Sequence, residues 1–345
     1  MPSIPNYAVD SMDTESGNTV LDVQNISVEF DVRGKPVTIL SDVNFTLKRG
    51  ETLGIIGESG CGKSMTALAL LRMIPSPPGR ISAGRVLLNE EDLIQADKKR
   101  INSIRGKEIS MIFQEPMTSL NPVYTVGDQI TETIRRHKKI GKLEAKTEAI
   151  ELLKTVQIPA PERRIEEYPH QLSGGMRQRI MIAMSLVCNP KVLIADEPTT
   201  ALDVTVQAQI FDLLKQIQKD NGTSIILITH DFGAINEMAD RVLVMYAGYK
   251  IEEGTLDQIR NHAVHPYTQG LLRSMPEIKT DPTTFRAPLP EIPGSVPDLL
   301  NRQPGCPFGP RCSEATARCH EMPPSIDLGN NRSVKCWLAS QEQVT

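Results

Sequence analysis

Gly57-Glu58-Ser59-Gly60-Cys61-Gly62-Lys63-Ser64 is the stretch on which the fold turns. It fits the spacing G-x-x-x-x-G-K-[ST] without a gap, follows the apolar run Leu53 to Ile56, and leads into a helical pattern from Lys63 to Met73. Strand, Gly-rich turn and helix in that order give this spacing its meaning. The glycines let backbone N–H groups turn inward around phosphate oxygens, and the helix N-terminus adds partial positive charge. Lys63 can then reach the β and γ oxygens of a nucleotide, and the Ser64 hydroxyl can ligate Mg²⁺. The competing reading is a chance Gly-rich turn, which the strand-to-helix placement disfavours.

Further along the chain, Val192-Leu193-Ile194-Ala195-Asp196-Glu197 is an apolar strand ending in two carboxylates. That places Asp196 at the carboxyl edge of a sheet, where it can hold Mg²⁺ through water, and makes Glu197 the base or water-positioning group for attack on a γ-phosphorus. The alternative, an N-cap pair before a helix, fits poorly with Pro198 following at once. His230 ends the apolar run Ser224 to Thr229. A lone strand-end histidine is commonly structural, but a neighbouring strand would deliver this one to the γ-phosphate as a donor. Leu172-Ser173-Gly174-Gly175-Met176 opens a helix running to Val187 and makes a second amide nest. One chain needs only one nest per nucleotide, so the spare one suits a nucleotide held by a facing subunit.

The rest of the chain frames these motifs. Val20 to Phe30, Val37 to Leu40 and Val43 to Leu47 read as antiparallel strands, Ile109 to Phe113 as a buried strand, and Val126 to Val156 as helix broken near Gly141. Buried strands alternating with helices predict an α/β core with a parallel sheet. Residues 1–18 read as a polar tail, 19–265 as the main unit, and 266–345, rich in Pro and holding four of the 6 Cys, as a small appended domain. The formal net charge is -4, with no interleaved basic and aromatic stripe, which disfavours nucleic acid as a main partner. No apolar run reaches the roughly 18 residues that span a bilayer, and Met1 to Thr19 has no signal-like apolar core. A cytosolic setting with reduced thiols is the expectation.

Taken together, the motifs resemble the ABC transporter ATP-binding family over about Val20 to His265. The resemblance implies a P-loop NTPase cassette: a parallel core sheet, an antiparallel β subdomain and a helical subdomain at about 115–190. It also implies a head-to-tail cassette dimer with two ATP molecules and Mg²⁺ at the interface. Ser173, Gly174 and Gly175 would then be the signature that completes the partner's site. Gln114 would be the Q-loop glutamine, touching Mg²⁺ and linking hydrolysis to membrane subunits. Ala201-Leu202-Asp203 would be the D-loop. Met176 departs from the commoner Gln at the end of the signature, which puts any side-chain contact there in doubt. Adenine stacks on an aromatic residue before the phosphate loop in this family. Phe30 is the nearest candidate, with Asp31 to Pro36 as an inserted turn and a core strand residue as the competing reading.

More narrowly, Leu172 to Leu202, Val244-Met245-Tyr246-Ala247-Gly248, His265-Pro266-Tyr267-Thr268 and Leu289-Pro290-Glu291-Ile292-Pro293-Gly294 resemble the dipeptide/oligopeptide/nickel importer branch, and Met176 its D-type ATPase subunit. This implies a second, F-type cassette, two transmembrane permease subunits, indirect action with an extracytoplasmic solute-binding protein, and a place on the cytoplasmic face of the membrane. Nickel, glutathione or another small solute stays open as cargo. A soluble ABC ATPase acting on DNA or ribosomes is the rival, but Lys63 to Asp196 carries no sustained heptads and the chain has a single cassette.

Cys306, Cys312, Cys319 and Cys336 follow C-x5-C-x6-C-x16-C. Four thiolates in a Pro-rich segment suit zinc or a [4Fe–4S] cluster, with unligated thiols a third reading. A C-x2-C knuckle, usual for zinc, is missing. The branch resemblance implies a [4Fe–4S] cluster acting as a structural staple. Cys61, at a variable loop position, and Cys188, near a helix end, read as ordinary small residues.

Overall fold

Two sheets frame the phosphate loop in the computed structural model, which describes residues 18–114, 119–200, 202–275, 291–298, 300 and 302–339. The expected tail (apart from Asn18), the D-loop residue Ala201, and Leu289 and Pro290 of the branch motif lie outside the described residues.

The smaller sheet is antiparallel, as expected. β1 (Thr19–Val32) and β2 (Lys35–Lys48) form a hairpin closed by Arg33 and Gly34, both at positive φ, 56° and 76°. Two positive-φ residues give the turn whose twist matches that of the flanking strands. The sequence splits β2 into two strands at Ser41 and Asp42; the structure carries one strand through, with register shifts taking up the irregularity. β4 (Gly79–Leu88) and the short β5 (Glu91–Asp92) complete the order β2-β1-β4-β5.

The larger sheet holds β3 (Thr52–Ile56), β6 (Ile109–Ile112), β7 (Val192–Asp196), β8 (Ser224–Ile228), β9 (Arg241–Tyr246), β10 (Tyr249–Thr255), β11 (Ile326–Gly329) and β12 (Arg332–Val334), in the order β11-β12-β10-β9-β3-β8-β7-β6. β9, β3, β8, β7 and β6 are mutually parallel. β10, β12 and β11 add antiparallel. The expected parallel sheet is therefore corrected to a mixed one. The physical reason is the tight turn at Ala247 and Gly248, both at positive φ, which returns the chain beside β9 with no room for a crossover helix.

Period-two alternation divides the core. Val192, Ile194, Ile226, Ile228, Leu243 and Met245 face the antiparallel sheet and the helix Lys63–Leu70. Leu193, Ala195, Ile225, Leu227, Val242 and Val244 face the helices Gly174–Leu186 and Val204–Asn221. A strand covered on both faces reads as a continuous apolar run, which is why β7 and β8 were legible as buried. The helical layer near the signature is built from Val126–His137 and Lys142–Thr155, broken at the cap Gly141 as the sequence predicts.

Among its described residues the Pro- and Cys-rich segment forms no separate sheet or large core of its own. β12 pairs with β10 through Glu252 opposite Val334 and Glu253 opposite Ser333. Phe308 joins the main core beside Tyr246 and Tyr267. A small cluster of Leu328, Val334, Cys336 and Ala339 is its own contribution. The expectation of a separate Cys-rich domain is thus corrected: the segment extends the main sheet and borrows its core, because it holds too little apolar material to bury by itself.

Candidate nucleotide site

Four neighbouring parallel strands end at one edge, and each delivers a motif there. β3 runs into the phosphate loop, β6 ends two residues before Gln114, β7 ends at Asp196 with Glu197 next, and β8 ends two residues before His230. The carboxyl edge of a parallel sheet is where the fold places ligands.

Within the loop, Gly57 sits at φ 152°, and a Cβ there would stand 2.2 Å from the Met245 carbonyl oxygen, so no other residue fits without moving backbone. Gly62 caps the helix Lys63–Leu70 at φ 106°. Lys63 is nearly buried, and its ammonium donates to the carbonyls of Gly57 at 2.8 Å and Glu58 at 3.2 Å. Ser59 and Gly60 lie exposed at the tip of the loop. Cys61 instead turns into the core, where burial pushes its thiol up from the ordinary range.

Ser64 Oγ donates to Asp196 Oδ1 at 3.1 Å, joining loop and strand end. Burial raises the Asp196 carboxyl, and the neighbouring Glu197 charge adds to this, while the Ser64 hydrogen bond and the Lys63 charge oppose it. A hydroxyl and a carboxylate oxygen beside a phosphate loop are hard donors of the kind Mg²⁺ takes, with nucleotide phosphates and water completing its shell.

Glu197 is the centre of a second network. Its Oε2 accepts from Gln114 Nε2 at 2.9 Å and from Thr200 Oγ1 at 2.9 Å, and its Oε1 lies 3.1 Å from His230 Nδ1. Burial pushes the Glu197 carboxyl up, but hydrogen bonds from His230 and Thr200, with the charges of His230 and Lys63, hold it below the usual carboxylate range. His230 keeps a side-chain exposure of 65% and is free to turn from Glu197 toward a phosphate. The structure thus brings together Lys63, Ser64 and Asp196 in one set, and Gln114, Glu197 and His230 in the other.

The remaining expected residues stand elsewhere. Phe30 is half-buried on β1, opposite Val37 and Gly79, and packs on the small-sheet core. Ser173 is the exposed N-cap of Gly174–Leu186 and accepts from the Met176 N–H at 3.3 Å. Gly174 is exposed, and Gly175 lies so close to Val206 that an added Cβ would stand 2.9 Å from its Cγ1. Asp203 is exposed and caps Val204–Asn221 by accepting from the Val206 N–H at 2.9 Å.

Three functional contacts escaped the sequence. Thr200 orients Glu197 but reads as an ordinary turn hydroxyl. Tyr267 Oη accepts the Glu58 N–H at 2.8 Å, and Arg311 forks onto the Glu58 carboxylate at 2.6 and 3.1 Å. Both come from more than 200 positions away, and no local pattern announces them.

Cys306, Cys312, Cys319 and Cys336 all line one cavity of about 90 Å³, walled also by His265 and Phe308. Burial raises the thiols of Cys306 and Cys312, and that of Cys336 to about 11. No set of three or more His, Cys, Asp or Glu among the described residues is arranged to hold a metal ion, so the expected ligand constellation is not formed here. His320 is exposed and outside that cavity.

Residues 40–200 match the ABC transporter family model, and residues 251–319 match the oligopeptide/dipeptide transporter C-terminal region. The chain is similar to the oligopeptide transport ATP-binding protein OppD of Bacillus subtilis (strain 168), 50% identical over 92% of this chain and 88% of that protein. It is also similar to the dipeptide transport ATP-binding protein DppD of the same organism, 48% identical over 93% and 95%. Among solved structures it resembles the dimeric post-hydrolysis ATP-binding cassette MJ0796 bound to ADP and Pi, with TM-score 0.62 and 27% identity over 68% of this chain and 98% of that one. With the cassette motifs assembled at one sheet edge and the C-terminal region matched as well, the chain belongs to the ATP-binding subunits of the ABC transporter family, in the branch that carries the oligopeptide/dipeptide transporter C-terminal region.

Proposed function

We propose that this chain is the ATP-hydrolysing subunit of an importer for di- or oligopeptides. The observation that carries the reading is the convergence of the phosphate loop, Asp196, Gln114, Glu197 and His230 at the ends of four adjacent strands. In this reading the amides of Gly57 to Ser64 and the Lys63 ammonium hold the ATP phosphates, and Phe30 carries the adenine. Ser64, Asp196 and Gln114 hold Mg²⁺, which when bound neutralises developing phosphate charge. An ionised Glu197, steadied by Thr200, orients and polarises the attacking water, and His230 donates to the γ-phosphate. Ser173, Gly174, Gly175 and Asp203 complete the ATP site of a facing cassette; the similar cassette MJ0796 is dimeric in its solved structure.

Among the described residues no helix is long and apolar enough to cross a membrane. Transport then needs permease subunits, two in this reading, with the chain on the cytoplasmic face. A groove of about 330 Å³ lined by Met73, Phe113, Leu120, Met181 and Met184 suits an apolar permease segment. Phe113, which lines it, is next in sequence to Gln114, so in this reading a segment seated there would feel the nucleotide. A second, F-type cassette and an extracytoplasmic binding protein complete the assembly. The chain reconstituted with the permeases and second cassette that co-purify with it from membranes is expected to accumulate tri- and tetrapeptides in vesicles only with MgATP. ATP-driven uptake of nickel or glutathione without peptide would overturn the cargo, and absence of any ATP-driven uptake would overturn the function.

The cysteine cavity is read as a [4Fe–4S] site. What supports the reading is that all four cysteines line that one cavity; a cluster, with its ligands further apart than those of a single zinc ion, fits their wide and uneven spacing. When bound, the cluster supplies cross-links to a segment with little core, and no hydrolytic step. Anaerobically purified protein is expected to contain about four irons per chain. One zinc and no iron would reverse the assignment.

A further inference from the structure

Arg311 belongs to the C-terminal segment, yet its side chain ends on the phosphate loop. It is only 6% exposed, and every guanidinium nitrogen has an acceptor. Nη1 and Nη2 fork onto the Glu58 carboxylate, Nε donates to the Pro293 carbonyl at 2.8 Å, Nη2 to the Ile292 carbonyl at 3.2 Å, and Nη1 to Tyr246 Oη at 3.3 Å. A forked, buried arginine is fixed in orientation as a lysine would not be.

The second contact from the same part of the chain is Tyr267, whose hydroxyl takes the Glu58 N–H. A third is Arg302, which donates to the Ala247 carbonyl at 2.6 Å. The next residue, Gly248, donates its N–H to the Cys61 carbonyl at 2.8 Å. Residues beyond position 265 therefore hold Glu58 directly and Cys61 at one remove. Between these two points lie only the exposed Ser59 and Gly60, the latter at positive φ. The Glu58 carbonyl is also one of the two that receive the Lys63 ammonium, so a shift of Glu58 moves the lysine that meets the phosphates.

We propose that Arg311 is a positioning residue for the phosphate loop, setting nucleotide affinity from the C-terminal segment through its paired carboxylate Glu58. The pair holds the loop in its phosphate-ready shape before nucleotide arrives, so binding does not have to order it. The turn Gly309–Arg311 lies between Cys306 and Cys312, and the Cys312 N–H bonds to the Gly309 carbonyl at 3.2 Å. The proposal rests on the reading of Gly57 to Ser64 as the ATP site.

The test is a double-mutant cycle on the full chain, with MgATP binding titrated on the isolated protein and ATPase followed in the assembled complex. Arg311→Met is expected to raise Kd and KM about tenfold, the weight of ordering roughly one more residue on binding, with kcat within about twofold. Glu58→Gln should raise Kd by a similar factor, and the double variant no further than either single change, because all three remove the same interaction. An unchanged Kd for folded Arg311→Met, or additive effects in the double variant, would overturn the proposal. If Arg311→Met does not fold, Arg311→Lys keeps the charge and loses the fork. A Kd raised about threefold then supports the proposal, and an unchanged one overturns it. Lys63→Ala separates the two layers: if it leaves ATP binding intact, the site itself is misassigned, whereas its loss of binding beside unaltered Arg311→Met removes only the role of Arg311.

Discussion

Glu197→Gln is expected to keep ATP binding within about threefold of the parent and to lower ATP turnover in the assembled complex about 10²-fold or more. The amide keeps the size and planarity of the carboxylate and can still accept from Gln114 and Thr200. It cannot take a proton, and it presents N–H groups where the parent presents a second acceptor to His230 and to water. Lys63 and Ser64, the residues read as meeting the phosphates, follow a different strand, and neither hydrogen-bonds Glu197. The change therefore separates turnover from binding. Steady-state ATPase with a parallel nucleotide titration is the measurement, and turnover near the parent's would remove Glu197 from its role.

Ser173→Arg should abolish most ATPase and peptide uptake in the complex, while MgATP binding by the isolated chain stays within about twofold. Ser173 is exposed, and its hydroxyl serves only to cap its own helix. Loss of that cap costs about 1 kcal/mol of local stability, too little to unfold the cassette. The arginine side chain would instead fill the space above the Gly174 and Gly175 amides, where the facing γ-phosphate has to sit. In the proposed dimer this nest serves the other cassette's nucleotide, so the loss is expected only in the assembled complex. A folded Ser173→Arg monomer that no longer bound ATP would show the nest serving its own nucleotide and end the two-cassette reading.

Much of the site was legible because its chemistry is local. Gly57 to Ser64 must be contiguous, since neighbouring amides make the phosphate cradle, and Gly57 must lack a Cβ because the Met245 carbonyl is so close. Asp196-Glu197 and His230 were readable because a strand buried on both faces is a continuous apolar run, and the first polar residue after it marks the sheet edge. The break at Gly141 and the helix starts at Lys63 and Ser173 were readable from caps and period.

Where the sequence misled, the missing information was an address in space. Prolines and cysteines after His265 suggested a small unit apart, because composition records what a segment lacks and says nothing of whose core it borrows. Val334 pairing with Glu252 and Phe308 packing on Tyr246 are decisions between strands far apart in the chain.

By itself the sequence marked a strand-loop-helix turn of the phosphate-binding kind, and the carboxylates and histidine that the fold gathers beside it. Those features follow from backbone geometry and burial within a few residues. Only the tertiary structure decided that the sheet is mixed, that Thr200 steadies Glu197, and that Arg311 and Tyr267 grip Glu58. Contacts of that kind form when separate elements dock: a buried guanidinium has to find a carboxylate, and which one it meets is fixed by how β9, β10 and the C-terminal segment pack, not by any period along the chain.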